Sequence, residues 1–202
     1  MKDRMIESNK QIYQPIMKES NMENEKTPLY VAFSTQKGGV GKTTFTVLAA
    51  SYLYYLKGYD VAVVDCDYPQ HSIAGMRKRD AEQVGADEDY KRMAYEQFTR
   101  LGKKAYPVLC SSPEKAIATA DEYIAAGHVL DIVFFDLPGT VNSEGVINSL
   151  AGMDYIFTPI SADKVVLESS LSFAVAIHKL LVKNKACRLA GLYLFWNMVD
   201  GR

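Results

Sequence analysis

The sequence is poor in cysteine, in net charge and in long apolar runs. Its 202 residues include three cysteines, Cys66, Cys110 and Cys187, which lie far apart and form no Cys-x-x-Cys pair. This spacing argues against a disulfide framework or a zinc site and is typical of a reducing compartment. The formal net charge is −1, so any contact with nucleic acid would need a local basic patch rather than the charge of the whole chain.

No apolar run approaches the roughly 20 residues that a membrane-spanning helix needs. The amino terminus also lacks the apolar core of a secretion signal, and we therefore expect a cytoplasmic protein. Apolar residues make up 48% of the chain, which suits one α/β domain with a proper core. Residues 1–28 are polar and mixed in charge. We predict a flexible arm there, followed by a single domain over residues 29–202.

Continuous apolar runs alternate with amphipathic segments from residue 29 onward. Runs of this kind are typical of parallel strands covered on both faces, and they predict strands at Leu29–Ser34, Asp60–Asp65, Tyr106–Cys110, Asp131–Asp136, Asp154–Ile160 and Leu189–Trp196. The segments between them have helical spacing. The alternation predicts a mostly parallel sheet with helices on both faces, in three layers.

Two helical segments lead to specific predictions about packing. After Gly41, helical spacing places Phe45, Leu48, Ala49, Tyr52, Leu53 and Leu56 on one face, which we expect to point inward. In the segment 163–183, His178 lies among apolar positions at the same spacing, and we interpret it as a core histidine. His71 precedes another helical segment and is interpreted as a residue of the helix start.

The first predicted strand runs into a glycine-rich turn of nine residues, Gln36-Lys37-Gly38-Gly39-Val40-Gly41-Lys42-Thr43-Thr44. Without side chains at the glycines, backbone N–H groups can turn inward around an anion. The following helix presents its free N–H groups and positive dipole end to the same anion. Lys42 would add a mobile positive charge and Thr43 a hydroxyl for Mg²⁺, so the turn predicts a phosphate-binding loop.

Polar residues end three other strands, at the edge of the sheet where this loop must lie. Asp65 ends the second strand and Asp67 follows it, Asp136 ends the fourth and Asn197 follows the last. Asp136 stands where an acid that holds Mg²⁺ through water belongs, although a strand-end acid could instead cap the next helix. Asp136-Leu137-Pro138-Gly139 also has the D-x-x-G form, in which the Gly139 N–H would contact a terminal phosphate.

The motifs resemble those of the ParA/MinD ATPases, in the same order. The loop Lys37–Thr44 is similar to their deviant phosphate loop, because Gln36 replaces the usual first glycine and Lys37 follows it. Asp65–Gln70 is similar to their D-x-D-P-Q switch with Tyr68 inserted, and Asp136–Thr140 to their third motif. The resemblance covers residues 29–202. Asp-Cys-Asp-Tyr-Pro-Gln-His-Ser is most similar to ParA-type proteins of conjugative transposons, often called TraA.

The resemblance implies ATP and Mg²⁺ as ligands. It implies Lys37, Lys42 and Asp67 as catalytic residues, with Lys37 reaching across an ATP-bound homodimer and Asp67 orienting the attacking water. It implies metal ligation by Thr43, Asp65 and Asp136, the acids through water. The implied ATP-binding residues are Lys37, Gly38, Gly39, Val40, Gly41, Lys42, Thr43, Thr44, Gly139 and Asn197.

The end of the chain bears on the choice of base. Trp196-Asn197-Met198-Val199-Asp200 is similar to the N-K-x-D guanine signature, with Met198 in place of the lysine that would pack over guanine. We therefore expect adenine, with Asn197 contacting the base as its ParA counterpart does. An ordinary turn residue at the end of a strand is the other interpretation of Asn197.

The resemblance further implies nonspecific DNA and a ParB-like or transfer-machinery protein as partners, in DNA segregation or conjugative transfer. The protein would be cytoplasmic, with nucleoid association, and without stable membrane association. A MinD-like membrane ATPase is an alternative, but its carboxy-terminal amphipathic helix is not visible before Arg202. A nucleotide-sensing scaffold and a small-molecule ligase on the same fold also stay open. An iron–sulfur carrier would need cysteine pairs that the sequence lacks.

Overall fold

The computed structural model describes residues 27–139, 143–181 and 187–199, of which 180 and 181 only in their backbone. Almost all of the predicted arm lies outside the described residues and stays a prediction. The described chain forms one parallel sheet in the order β3-β2-β4-β1-β5-β6. Its strands are β1 Leu29–Phe33, β2 Val61–Asp65, β3 Val108–Cys110, β4 Ile132–Asp136, β5 Tyr155–Ile160 and β6 Gly191–Trp196. The predicted fold class is confirmed.

Helices connect every pair of consecutive strands. They are α1 Lys42–Ser51, α2 Ser72–Ala86, α3 Glu88–Leu101, α4 Ala116–Ala125, α5 Glu144–Ala151 and α6 Lys164–Leu181. A π-helical turn, Tyr52–Leu56, continues α1, and a 3₁₀ turn, Pro113–Lys115, leads into α4. Asp87 begins α3, because its carboxylate accepts hydrogen bonds from the N–H groups of Asp89 and Tyr90. Among the described residues, no helix has the length and apolarity that crossing a membrane would require.

The core lies on both faces of the sheet, as the continuous apolar strands predict. On one face, α4, α5 and α6 cover the central strands through buried residues that include Ala120, Leu150, Phe173 and Ile177. On the other face, α1, the π-helical turn and α2 contribute Ala50, Tyr54 and Ile73. Helix α3 has no buried residue and lies at the periphery.

The predicted inward face of the first helix is wrong in part. Leu48, Tyr52 and Leu56 are 58%, 49% and 73% exposed. The helix instead packs on the sheet through Thr46 and Ala50, followed by Tyr54 of the π-helical turn. A buried threonine is tolerated here because its hydroxyl donates to the carbonyl of Lys42, one turn earlier. The π-helical turn then changes the periodicity, so a 3.6-residue pattern no longer identifies the buried side.

The interpretation of His178 as a core histidine is also wrong, since the side chain is exposed. Helix α6 buries Val166, Ser170, Phe173 and Ile177 at helical spacing. This face is rotated from the predicted one because Ser170 is buried, where its hydroxyl pairs with that of Thr35 at 3.2 Å. His71, by contrast, precedes α2 as predicted.

Candidate nucleotide-binding site

The glycine-rich loop lies between the carboxyl end of β1 and the first turn of α1. Gly39 and Gly41 have φ angles of +76° and +93°, which L side chains rarely adopt. Gly41 is the residue before α1, and a side chain there would begin 3.2 Å from Asn197 Nδ2. The loop conformation therefore requires glycine at these positions, as expected of a backbone cradle for an anion.

Lys42 and Gly139 face each other across the loop. Lys42 Nζ donates to the carbonyl oxygen of Lys37 at 3.1 Å. A side chain on Gly139 would begin 3.1 Å from Lys42 Nζ and 3.5 Å from the carbonyl oxygen of Gln36. Burial lowers the pKa of Lys42, while the carboxylates of Asp136 and Asp67 oppose that shift. Lys42, which is predicted to add a positive charge to the phosphate loop, and Gly139, which is predicted to contact a terminal phosphate, are therefore neighbours.

Thr43 and Asp136 form the centre of the site. The Thr43 hydroxyl donates to Asp136 Oδ2 at 2.8 Å. Asp136 is buried, and its pKa is raised to about 6, mainly by burial and in smaller part by the negative charges of Asp65 and Asp67. The hydrogen bond from Thr43 and the charge of Lys42 act in the opposite direction. The protein therefore stabilises the negative charge of this buried carboxylate only in part, and a bound cation would stabilise it further.

Asp65 lies beside Asp136, because the two are partners in the register of β2 and β4. Its Oδ2 accepts hydrogen bonds from the N–H groups of Ile73 and Ala74, at 2.9 and 3.0 Å. Its Oδ1 accepts a further one from Asp67 N–H at 3.3 Å. Asp65 thus joins the end of β2 to the first turn of α2, which the sequence did not predict. Its proposed role in metal binding stays a prediction.

Asp67 is more accessible than Asp65 and has fewer partners. Its Oδ2 accepts a hydrogen bond from the Ser72 hydroxyl at 3.2 Å, and its carbonyl accepts one from His71 N–H. His71 has a φ of +44°, and its Nδ1 lies 3.1 Å from the carbonyl oxygen of Asp65. Sequence reasoning missed Ser72 as a positioning residue. Serine is common at helix starts, but there its oxygen typically accepts from backbone N–H groups, so that pattern did not identify Ser72 as a donor to Asp67.

Asn197 reaches the phosphate loop from the other side. Its Nδ2 donates to the carbonyl oxygen of Val40 at 3.0 Å, across 157 positions of the sequence. The contact ties the end of β6 to the loop and holds Asn197 Nδ2 3.2 Å from where a side chain at Gly41 would begin. A role in contacting the base stays a prediction. Lys37, Thr44 and Gln70 are exposed at the same edge of the sheet.

The oxygen donors at this edge fit Mg²⁺ shared with a phosphate. No group of three or more His, Cys, Asp or Glu residues capable of holding a metal occurs within the described residues. Mg²⁺ is usually bound by one or two carboxylates together with waters and substrate phosphates. The pair of Thr43 and Asp136, beside a glycine cradle, matches that donor set. The residues therefore fit a metal that arrives with its nucleotide.

The parallel sheet and the glycine loop that opens α1 define an α/β P-loop nucleotide-binding protein. Residues 31–201 match the family model of the CobQ/CobB/MinD/ParA nucleotide binding domain. The chain belongs to that family, and the predicted ParA/MinD relationship is confirmed.

Similar proteins agree with this assignment. The chain is 28% identical over 184 residues to the chromosome-partitioning ATPase Soj of Thermus thermophilus, covering 85% of this chain and 70% of that protein. A protein of Borrelia burgdorferi B31 described as a plasmid partition protein, bound to AMPPNP, has a similar fold with a TM-score of 0.60. It is 18% identical, with 88% and 78% of the two chains covered. MinD of Aquifex aeolicus gives a TM-score of 0.55 at 19% identity, with 86% and 70% covered.

Proposed function

We propose that this protein is an ATP-hydrolysing switch of the ParA type, which dimerises around ATP and acts in DNA segregation or conjugative transfer. The observation that carries the proposal is the meeting of Lys42, the Thr43 hydroxyl and buried Asp136 beside a glycine loop with a second, exposed lysine. An ordinary phosphate loop accounts for the first three groups. Lys37 is the group that a dimerising ATPase needs in addition.

The residues of the loop bind and orient the triphosphate. Backbone N–H groups from Gly38 to Thr44 surround the phosphates, and Lys42 moves from the Lys37 carbonyl onto the nucleotide. Thr43, Asp136 and, by resemblance, Asp65 would hold Mg²⁺, which would neutralise phosphate charge. The side-chain carboxylate of Asp67 accepts a hydrogen bond from the Ser72 hydroxyl. This hydrogen bond orients the carboxylate to hold a water molecule in line with the terminal phosphate.

Lys37 supplies charge to the nucleotide of a second subunit. Its side chain is exposed, while its carbonyl oxygen accepts the hydrogen bond of Lys42. A cation that enters from a partner stabilises the transition state in the way an arginine finger does, and makes hydrolysis depend on dimerisation. The proximity of Gly139 to Lys42 couples the loop after β4 to the same phosphate.

Adenine is the proposed base, with Asn197 as its contact. The ATPase identity of the Soj relative and the AMPPNP in the Borrelia structure support adenine. The name of Soj supports a role in partition, and the motif around Asp65 and His71 resembles that of mobile-element proteins. The proposed partners are nonspecific DNA and a ParB-like or transfer-machinery protein, and the proposed location is the nucleoid within the cytoplasm.

Two measurements test this function. Phosphate release should rise more than linearly with protein concentration, and DNA should be bound with ATP but not with ADP or without nucleotide. Lys42→Ala should abolish nucleotide binding, because the loop loses its charge on the phosphates. Lys37→Ala should bind ATP and lose concentration-dependent hydrolysis. Nucleotide binding without any phosphate release, with DNA and partner present, would instead identify a nucleotide-sensing scaffold.

A further inference from the structure

A cavity of about 650 Å³ lies between α1, α2 and α3, apart from the phosphate loop. Its walls are mostly apolar and aromatic, and they include Val47, Tyr55, Met76, Ala94, Phe98 and Tyr106. The volume and lining are those of a small-molecule site, in which a few polar groups fix the orientation of the ligand.

The polar groups of this cavity centre on Arg77. Its guanidinium carbon lies 4.4 Å from the centre of the Tyr106 ring, and burial raises the pKa of Tyr55 while the charge of Arg77 lowers it. Arg77 is half-buried, and in the part of the chain that the structure describes it forms no ion pair, although Asp80 is also on the cavity wall. The hydroxyls of Ser51 and Tyr106 pair at 3.3 Å beside it. A partly desolvated cation that lies over the Tyr106 ring is complementary to an incoming anion.

The same walls belong to helices that begin at the nucleotide site. Ile73 lines the cavity, and its N–H donates to Asp65 Oδ2 at 2.9 Å. Val47 lines it from α1, one turn beyond the Thr43 that bonds Asp136. A ligand in the cavity would therefore touch both α1 and α2, whose first turns hydrogen-bond Asp136 and Asp65.

We propose that this cavity is an effector site for an organic monoanion with an apolar body, whose acid group pairs with Arg77. The cavity wall carries the cation of Arg77 together with the negative charge of Asp80. This balance favours a ligand with a single negative charge. The planar fork of arginine suits a carboxylate or sulfonate, and the aromatic walls suit a ring or alkyl body. A ligand bound in the cavity shifts the first turn of α2 and thereby changes the affinity of the phosphate loop for its nucleotide. This second effect rests on the proposed function.

The test uses 8-anilinonaphthalene-1-sulfonate as the anionic probe and N-phenyl-1-naphthylamine as its uncharged analogue, titrated by fluorescence into the nucleotide-free chain. One sulfonate should bind per chain, and Arg77→Gln should weaken it about tenfold, whereas the uncharged analogue should change little. Arg77→Lys keeps the charge and should retain most of the affinity. Lys78→Gln, a neighbouring exposed change, is the matched control. Equal binding to the native chain and Arg77→Gln would overturn the site.

Two further readouts complete the test. Ala94→Trp fills the cavity and should exclude both probes, and binding that survives in this variant would place the probe elsewhere and overturn the proposal. Native-like circular dichroism and melting show that each variant folds. Saturating sulfonate should change ADP affinity at least about threefold in the native chain and not in Arg77→Gln. An unchanged ADP affinity overturns the effector role, and absence of ADP binding would count against the proposed function alone.

Discussion

The Thr43 hydroxyl donates a hydrogen bond of 2.8 Å to Asp136 Oδ2, and this contact joins the first turn of α1 to the carboxyl end of β4. The two residues are 93 positions apart. They are brought together because β1 and β4 are neighbours in the sheet, so the loop after β1 and the acid that ends β4 share one edge. Burial leaves the pKa of the acid at about 6. The site is therefore built with an electrostatic cost that a cation would relieve.

The first prediction concerns Asp136→Asn and pH. The folded-state pKa of about 6 is above the ordinary 3.8, so folding disfavours the ionised carboxylate. This cost is fully present above pH 6 and disappears as the pH falls toward 4. Asparagine still accepts the Thr43 hydrogen bond without the charge. We expect metal-free Asp136→Asn to be more stable than the native chain by about 1–3 kcal/mol at pH 8, and urea unfolding measures this.

The pH dependence distinguishes this explanation from a general packing effect. The stability difference between Asp136→Asn and the native chain should shrink steadily between pH 6 and pH 4. In this range the native Asp136 carboxylate becomes protonated and is then neutral, as asparagine is. A difference that is the same at pH 8 and pH 4.5, or a destabilised variant at pH 8, would contradict the account of Asp136.

The second prediction concerns the Thr43 hydroxyl. Thr43→Ala should weaken nucleotide binding about tenfold with Mg²⁺ present, and much less with EDTA, because the hydroxyl acts on the metal. Thr43→Ser keeps the hydroxyl and is the matched control. Titration calorimetry with ADP measures both conditions. Equal losses for alanine with and without Mg²⁺ would show that Thr43 acts only through the fold.

The third prediction separates two roles of the acids after β2. Asp65 accepts three backbone hydrogen bonds, two of them from α2, whereas the Asp67 side chain accepts one from Ser72. Asp65→Asn would turn an amide N–H₂ toward at least one of these donors. We expect it to cost about 1–3 kcal/mol in unfolding free energy, and Asp67→Asn less than about 1 kcal/mol. Chemical unfolding without metal measures both. Equal costs would contradict the structural role of Asp65.

The fourth prediction concerns Asn197. Asn197→Ala leaves the carbonyl of buried Val40 without its 3.0 Å donor, and should cost about 1 kcal/mol in stability. It should also weaken ADP binding, because the loop is less firmly held. Met198→Ala is the control, since Met198 is 64% exposed. Unchanged ADP affinity and stability in Asn197→Ala would identify it as an ordinary turn residue.

Much of the fold could be predicted from the sequence, because each strand is a continuous apolar run and the four central strands, β2, β4, β1 and β5, are largely buried. The side of each helix that faces the core was harder to predict. Thr46 and Ser170 are polar residues that bury their hydroxyls in hydrogen bonds, so an apolar periodicity misplaces the inward side. The wrong predictions for Leu48 and His178, which are exposed, follow from that error. The π-helical turn at Tyr52–Leu56 also changes the periodicity of the buried positions.

The site was predictable where its chemistry is local in sequence. Glycines and Lys42 identify the phosphate loop within nine residues, and Asp136 ends an unmistakable strand. The contacts that hold the site are not local. Asn197 meets Val40 from the other end of the chain, and Asp65 meets N–H groups of Ile73 and Ala74. Backbone donors have no sequence signature, so the capping role of Asp65 could be found only in the structure.

The central claim is that Lys37 acts on the nucleotide of a partner subunit, and mixing two inactive variants tests it most directly. Lys37→Ala keeps Asp67 and lacks the lysine, and Asp67→Ala has the reverse combination. Each alone should release almost no phosphate. A heterodimer contains one complete site, so random pairing in an equal mixture should restore about a quarter of the native rate. A mixture no more active than the two variants measured separately would contradict the account.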